Sequence, residues 1–303
     1  MAVTVSRRAA EKHPHRVTFA PIAGGFLDQS TGVEQERTVR IFDPHSHMIS
    51  RVTDDYERMA LCGIVAITEP SFWLGEPRKY AGTFYDYFDH ITRFEAERAA
   101  EYGIRHFCTI GVNPREANDT KLAREVLGRM AEWFERPSVV AVGELGFDLI
   151  NDAEEEILRT QLEMAFEANL PVMIHTPHRN KLEGTLRTIR VIEDMKLDVS
   201  RILMDHNTEE TIQASRDGGF WCGHTVYPVT KLSPERATAI MEQYGVDKMM
   251  VNSSCDWGPS DPLSVPRTIW QMRRSGFDEG TIEQLVWKNP LEFYSLSGRV
   301  DLE

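Results

Sequence analysis

Eight short apolar runs, each followed by a longer stretch of helical periodicity, narrow the architecture of this chain more than any other feature. The runs fall at 39–45, 64–69, 105–112, 139–144, 171–175, 201–206, 220–225 and 248–255, and most are rich in Val, Ile, Met and Phe. Apolar runs of that length read as strands buried on both faces, the mark of a parallel sheet covered by helices. Between them, 88–102, 116–135, 153–168, 182–195, 234–244 and 262–274 have helix-forming composition. Asn151-Asp152 and Ser233-Pro234 offer helix starts, the second a cap followed by proline at the first helical position. Strand–helix alternation implies parallel strands. Eight such units without a change of rhythm predict a closed (β/α)8 TIM barrel. An open doubly wound sheet is the runner-up; it would carry a glycine-rich phosphate loop after its first strand, and Pro44-His45-Ser46-His47 is nothing of that kind. One barrel domain over 39–303 leaves residues 1–38 as an N-terminal arm, polar apart from 17–22, with His13 and His15 facing solvent.

Composition limits the function. The net charge of −13 opposes a broad nucleic-acid-binding face, though not a local basic cleft. Cys62, Cys108, Cys222 and Cys255 are widely spaced with no CxxC, as expected of buried thiols in a reducing compartment. No apolar run approaches the ~20 residues of a membrane span, and the segment after Arg7-Arg8 has no apolar core of a signal peptide. The expectation is a cytoplasmic protein away from membranes.

The polar residues that end these strands carry the chemistry. Glu144 closes an apolar run and is flanked by Gly143 and Gly146. A carboxylate at the end of a buried strand is costly unless something positive meets it. His45 and His47 end the first strand two residues apart, so both face one side. Asp43, one step deeper on that face, is placed to orient a histidine. His175 ends the fifth strand, His206 the sixth, and Asp256 follows the eighth. All six candidate ligands thus fall at the C-terminal ends of strands, the mouth where barrel active sites form.

That set resembles the amidohydrolase superfamily, and more narrowly the TatD-like metal-dependent hydrolases, over about residues 39 to 297. Asp43-Pro44-His45-Ser46-His47 is similar to the family's D-x-H-x-H, and Gly143-Glu144-Leu145-Gly146-Phe147-Asp148 to its G-E-x-G-x-D. Ile174-His175-Thr176, Asp205-His206-Asn207, Cys255-Asp256 and 288–294 fall where its later motifs lie. The resemblance implies two divalent cations: one on His45, His47 and Asp256, the other on His175 and His206, with Glu144 bridging. It implies a water or hydroxide between them as nucleophile, with Asp256 taking or steering its proton. Imidazole and carboxylate ligands suit Zn²⁺ first, and Mn²⁺, Fe²⁺, Ni²⁺ or Mg²⁺ also.

The substrate shell departs from the DNA-cleaving branch of that family. Asn113 stands where the branch tends to have the histidine of G-x-H-P, Asn207-Thr208 where it has Cys-Phe, and Ser254-Cys255 before the last aspartate where it has Glu-Thr. His178, Arg179, Lys181, Arg78 and Lys79 are basic groups near the mouth that can hold a phosphate or carboxylate, and His224, near the mouth on the seventh strand, is either a further candidate substrate contact or a structural histidine. His106, at the opposite end of its strand, reads as structural. Two long loops, 70–87 with Phe72, Trp73, Tyr80, Phe84, Tyr85 and Tyr87, and 257–266 with three prolines, belong to the same mouth. The aromatic loop, Trp73 included, serves as pocket wall, lid or subunit contact, so a homo-oligomer stays open. The reading is a dinuclear metal-dependent hydrolase of a small ester, phosphoester or cyclic amide. A metal-dependent deoxyribonuclease is the alternative, and a non-catalytic ligand-binding relative is the rival outside enzymes.

Overall fold

A computed structural model describes residues 39–302; the arm expected at 1–38 lies outside the described residues. Eight parallel strands run in chain order: β1 (Ile41–Asp43), β2 (Ile64–Pro70), β3 (Arg105–Ile110), β4 (Val139–Gly146), β5 (Val172–His175), β6 (Ile202–Asp205), β7 (Trp221–Thr225) and β8 (Met249–Asn252). Each pairs with the next. Backbone bonds just past the strands tie the two ends of the sheet together, His47 N to Cys255 O at 2.9 Å and Ser254 N to His45 O at 2.7 Å. The sheet is thereby a TIM barrel, as the strand rhythm predicts. β1 is shorter than 39–45 because Pro44 has no N–H to continue the ladder.

Helices surround it: α1 (Thr53–Leu61), α2 (Ala81–Asp89), α3 (Glu95–Ala100), α4 (Pro114–Ala117), α5 (Thr120–Phe134), α6 (Asp152–Glu167), α7 (Lys181–Met195), α8 (Ile212–Asp217), α9 (Pro234–Tyr244), α10 (Ser264–Arg274), α11 (Glu279–Glu283) and α12 (Asn289–Ser295). The side chains of Asn151 and Ser233 cap α6 and α9 as their sequences suggest. The stretch 116–135 divides because the Asp119 side chain caps a new helix, accepting from Leu122 N. A π turn, His90–Phe94, joins α2 to α3. α2 begins at Ala81, so the second loop ends earlier than 87, and Phe84 and Tyr87 pack into the core between strands and helices. None of the described helices is long and apolar enough to cross a membrane.

The barrel interior is filled by Phe42, Ala66, Phe107, Val140, Met173, Leu203, Trp221 and Met250. Trp287, Phe293 and Tyr294 from the C-terminal helices join this cluster. Arg40, just before β1, lies 4.2 Å over the Trp287 ring, which puts that cap at the N-terminal end of the barrel. The opposite end is left to polar side chains.

Candidate metal centre

Glu144 is 3 % exposed near the end of β4 and sits among imidazoles. Its Oε1 lies 3.1 Å from His206 Nε2, 3.3 Å from His175 Nδ1 and 3.6 Å from His45 Nε2. His45 Nε2 and His47 Nε2 approach to 2.9 Å. The flanking glycines explain how the carboxylate arrives there. A Cβ on Gly143 would meet Met173 Cβ at 2.8 Å, and one on Gly146, whose φ is +138°, would meet His175 O at 2.3 Å. β4 can therefore run close against β5 only with glycine on both sides of Glu144.

Two of the remaining ring nitrogens are also held. His45 Nδ1 is 2.5 Å from Asp205 Oδ2, and His206 Nδ1 is 2.5 Å from Thr225 Oγ1. Asp205, at the end of β6, has its other oxygen on Asn252 Nδ2 at 2.9 Å. With Nδ1 of His45 donating to that carboxylate, the Nε2 lone pair points at Glu144. Asp205 thus takes the orienting role expected of Asp43. The Asp43 Oδ1 instead accepts from the backbone N–H of His45 and of Ser253, each at 3.2 Å, and joins β1 to β8.

Charge follows geometry. Burial pushes the Glu144 carboxyl up, but the imidazoles of His45, His175 and His206 outweigh it and hold the group well below the usual carboxylate range. Burial lowers His47 and His206 well below the usual imidazole value, so both are neutral at pH 7 with a lone pair to give. His45, His47 and Glu144 form one set, and Glu144, His175 and His206 a second, in which the donor atoms all lie within 4.8 Å of one another. Imidazoles around one shared carboxylate are a donor set that fits divalent cations of the Zn²⁺ or Mn²⁺ type.

Asp256 lines the same cavity but stands outside these sets. Its Oδ1 accepts from Tyr227 Oη at 2.8 Å and from Gly258 N at 2.7 Å. The cavity, about 280 Å³, is also lined by Phe72, Trp73, Asn113, Arg115, Asp148, His178, Lys231, Ser254 and Trp257. Phe72 stacks on the His47 ring with centroids 3.6 Å apart, and Trp257 stacks on Phe72 at 5.2 Å. The Arg115 guanidinium covers Trp73 at 3.9 Å. Asn113 Nδ2 reaches Glu144 Oε2 at 3.4 Å.

The substrate-side expectations divide. Trp73 and His178 are in the cavity wall. Arg179 is exposed and does not line the cavity, because the chain turns outward there into α7. His224 is also outside it. On β7, Trp221 belongs to the interior cluster and a Cβ on Gly223 would meet Asp205, so His224, on the other parity, faces the helices and is fully buried. Arg78 is taken by Glu116 at 2.6 Å, and Lys181 Nζ by Thr176 and the His206 carbonyl. His106 is paired with Glu69 at 2.8 Å in the core, in keeping with a structural role. Asp205, Tyr227 and Lys231 received no role from sequence.

Comparison with known proteins agrees with this geometry. The model of the family described as TatD related DNase matches residues 43–295. An uncharacterized metal-dependent hydrolase of Methanocaldococcus jannaschii is 30 % identical over 259 residues, covering 84 % of this chain and 100 % of that one. A 3'-5' ssDNA/RNA exonuclease TatD of Enterobacter lignolyticus is 30 % identical over 112 residues, 30 % of this chain and 42 % of that one. The crystal structure of a TatD-like protein from Archaeoglobus fulgidus superimposes with a TM-score of 0.69 at 25 % identity, covering 84 % of this chain and 99 % of that one.

Proposed function

This chain belongs to the TatD-related DNase family and is a metal-dependent hydrolase, and from that premise we propose that it cleaves a small ester, phosphoester or cyclic amide with two divalent cations, Zn²⁺ first among them. His45, His47 and Asp256 would hold one, His175 and His206 the other, and Glu144 both. Cations so held would bring a water toward a pKa of ~7 and would polarise the scissile bond.

The protein's own groups do the rest. Asp205 keeps the Nε2 lone pair of His45 directed inward. Tyr227 and Gly258 hold Asp256 through its Oδ1, which leaves Oδ2 to meet a cation or to steer the proton of the attacking water. Phe72, Trp73 and Trp257 give the apolar part of a substrate a wall and exclude solvent. The observation that carries this reading is the buried Glu144 among His45, His175 and His206 at the mouth of the barrel. The small substrate is supported by the cavity of about 280 Å³, by the net charge of −13, and by Asn113 in place of a histidine. A cytoplasmic setting accords with four free cysteines, of which Cys108, Cys222 and Cys255 are buried as expected and Cys62 is exposed.

A second reading, trimming of single-stranded nucleic acid, is favoured by the family's description and by the exonuclease relatives. Protein loaded with Zn²⁺ or Mn²⁺ is assayed against p-nitrophenyl acetate, bis(p-nitrophenyl) phosphate, a dihydropyrimidine and end-labelled single-stranded DNA, with Asp256→Asn as control. Metal-dependent turnover of a small substrate, lost in Asp256→Asn, supports the first reading. DNA trimming that outruns every small substrate and is lost in the same variant replaces it by the second. No metal-dependent turnover of any of them refutes both.

A further inference from the structure

We propose that Lys231 is the specificity-determining residue of this site, holding an anionic oxygen of the substrate beside the bond that is cleaved. The inference rests on the hydrolase reading above and narrows its substrate from esters and amides in general to one that carries an oxyanion.

Lys231 is fixed rather than free to wander. It lies in the loop between β7 and α9, where Tyr227 N donates to Leu232 O at 3.0 Å and Leu232 N to Thr225 O at 3.2 Å. Arg236 Nη1 grips its carbonyl at 2.7 Å, and its neighbour Leu232 is buried in the core. The side chain enters the cavity wall.

An ammonium has three N–H donors, and Lys231 finds little to give them to. Its Nζ is 3.1 Å from His206 Nδ1 and 3.4 Å from Ser254 Oγ. No carboxylate among the described residues pairs with it; Glu144, Asp205 and Asp256 act on it only at longer range. The contact with His206 is also conditional. When His206 offers its Nε2 lone pair to a cation, Nδ1 carries the proton and donates to Thr225 Oγ1, 2.5 Å away. A protonated Nδ1 cannot accept from Lys231. In the working state Lys231 is then left with Ser254 and two N–H groups directed into a partly desolvated cavity. A charge held there with so few partners is costly until an anion meets it.

The test uses full-length protein loaded with Zn²⁺, comparing wild type, Lys231→Met and Lys231→Arg. Calorimetry reads the affinity for inorganic phosphate, which needs no turnover. Steady-state kinetics read kcat/KM for bis(p-nitrophenyl) phosphate, an anion, and for p-nitrophenyl acetate, which is neutral. Elemental analysis reads metal per chain. Loss of one charged hydrogen bond predicts phosphate binding weaker by about 10- to 100-fold in Lys231→Met. The anion-to-neutral ratio of kcat/KM should fall at least tenfold, metal content should hold, and Lys231→Arg should recover most of both. Phosphate affinity within twofold of wild type, or an unchanged substrate ratio, overturns the proposal. Loss of metal does so as well, because Lys231 would then be a support for His206. If neither ester turns over, the hydrolase reading fails on its own, and the phosphate arm still decides whether Lys231 binds an oxyanion.

Discussion

Asp205 is the residue on which the orientation of the centre turns, and Asp205→Asn is the most informative single change. Its Oδ2 stands 2.5 Å from His45 Nδ1 and its Oδ1 2.9 Å from Asn252 Nδ2, with the side chain fully buried. Two consequences follow when the carboxylate becomes an amide. A charge-assisted bond to His45 becomes a neutral one, a loss of ~1–1.5 kcal/mol. If the new amide keeps its oxygen toward His45, its NH2 faces the Asn252 NH2, and a buried donor without an acceptor costs ~1–3 kcal/mol more. The first term weakens the basicity and fixed tautomer of His45 and should raise the metal Kd about 10- to 100-fold. The second destabilises the fold with or without metal.

The two terms separate experimentally. Zn²⁺ affinity is measured by competition with a chromophoric chelator, and metal-free stability by urea unfolding in chelator. Asp205→Asn should lose on both. Adding Asn252→Asp gives the new NH2 an acceptor again, so the double variant should regain stability while its metal affinity stays low. A metal Kd within twofold of wild type in Asp205→Asn would refute the claim that this carboxylate sets the His45 tautomer. Full recovery of metal affinity in the double variant would refute it as well, since His45 still faces a neutral group there.

Gly223→Ala attacks the same residue sterically. The added Cβ would sit 2.1 Å from Asp205 Oδ1 and 3.3 Å from its Cα; crowding of that kind costs ~1–3 kcal/mol, and urea unfolding should show it together with weaker Zn²⁺ binding. The Glu209–Arg236 pair beside the Lys231 loop gives a pH signature. The hydrogen bond from Arg236 holds the Glu209 carboxyl below its usual value, so its stabilisation is present above the unfolded pKa and fades as pH falls through the folded one. The pair is half exposed, so Glu209→Gln should cost under ~1 kcal/mol at pH 7 and nothing measurable at pH 3 in urea unfolding.

What the sequence revealed follows from what constrains it. Glu144 was legible because a buried carboxylate needs partners and because β4 tolerates only glycine beside it where it meets β5. His45, His47, His175 and His206 were legible because strand ends share one mouth. His224 stays open between two roles in the sequence for a related reason: β7 is buried on both faces, so no polar–apolar alternation marks which residues point inward. The fully buried Asp205, one residue before His206, carried no separate mark for the same reason. The extent of the second loop was a different failure. Phe84, Tyr87, Phe88 and Ile91 already follow helical spacing, and that signal was overshadowed by the aromatic content of the segment.

The residues hardest to foresee are those that choose a substrate. The candidate metal donors at His45, Glu144, His175 and His206 come from strand ends, where backbone register fixes their positions against one another. Trp73, Asn113, Arg115, Lys231 and Trp257 come from the loops after β2, β3, β7 and β8. No period constrains a loop residue, and its placement depends on contacts such as the Arg236 grip on Lys231 O. A barrel can therefore keep a centre at its strand ends while its loops change what enters, and on the proposal above Asn113 and Lys231 are loop residues that would meet the substrate. If that division holds, exchanging loop residues should alter the ratio of substrates at constant metal content, and changes at the strand ends should alter metal content at a constant ratio.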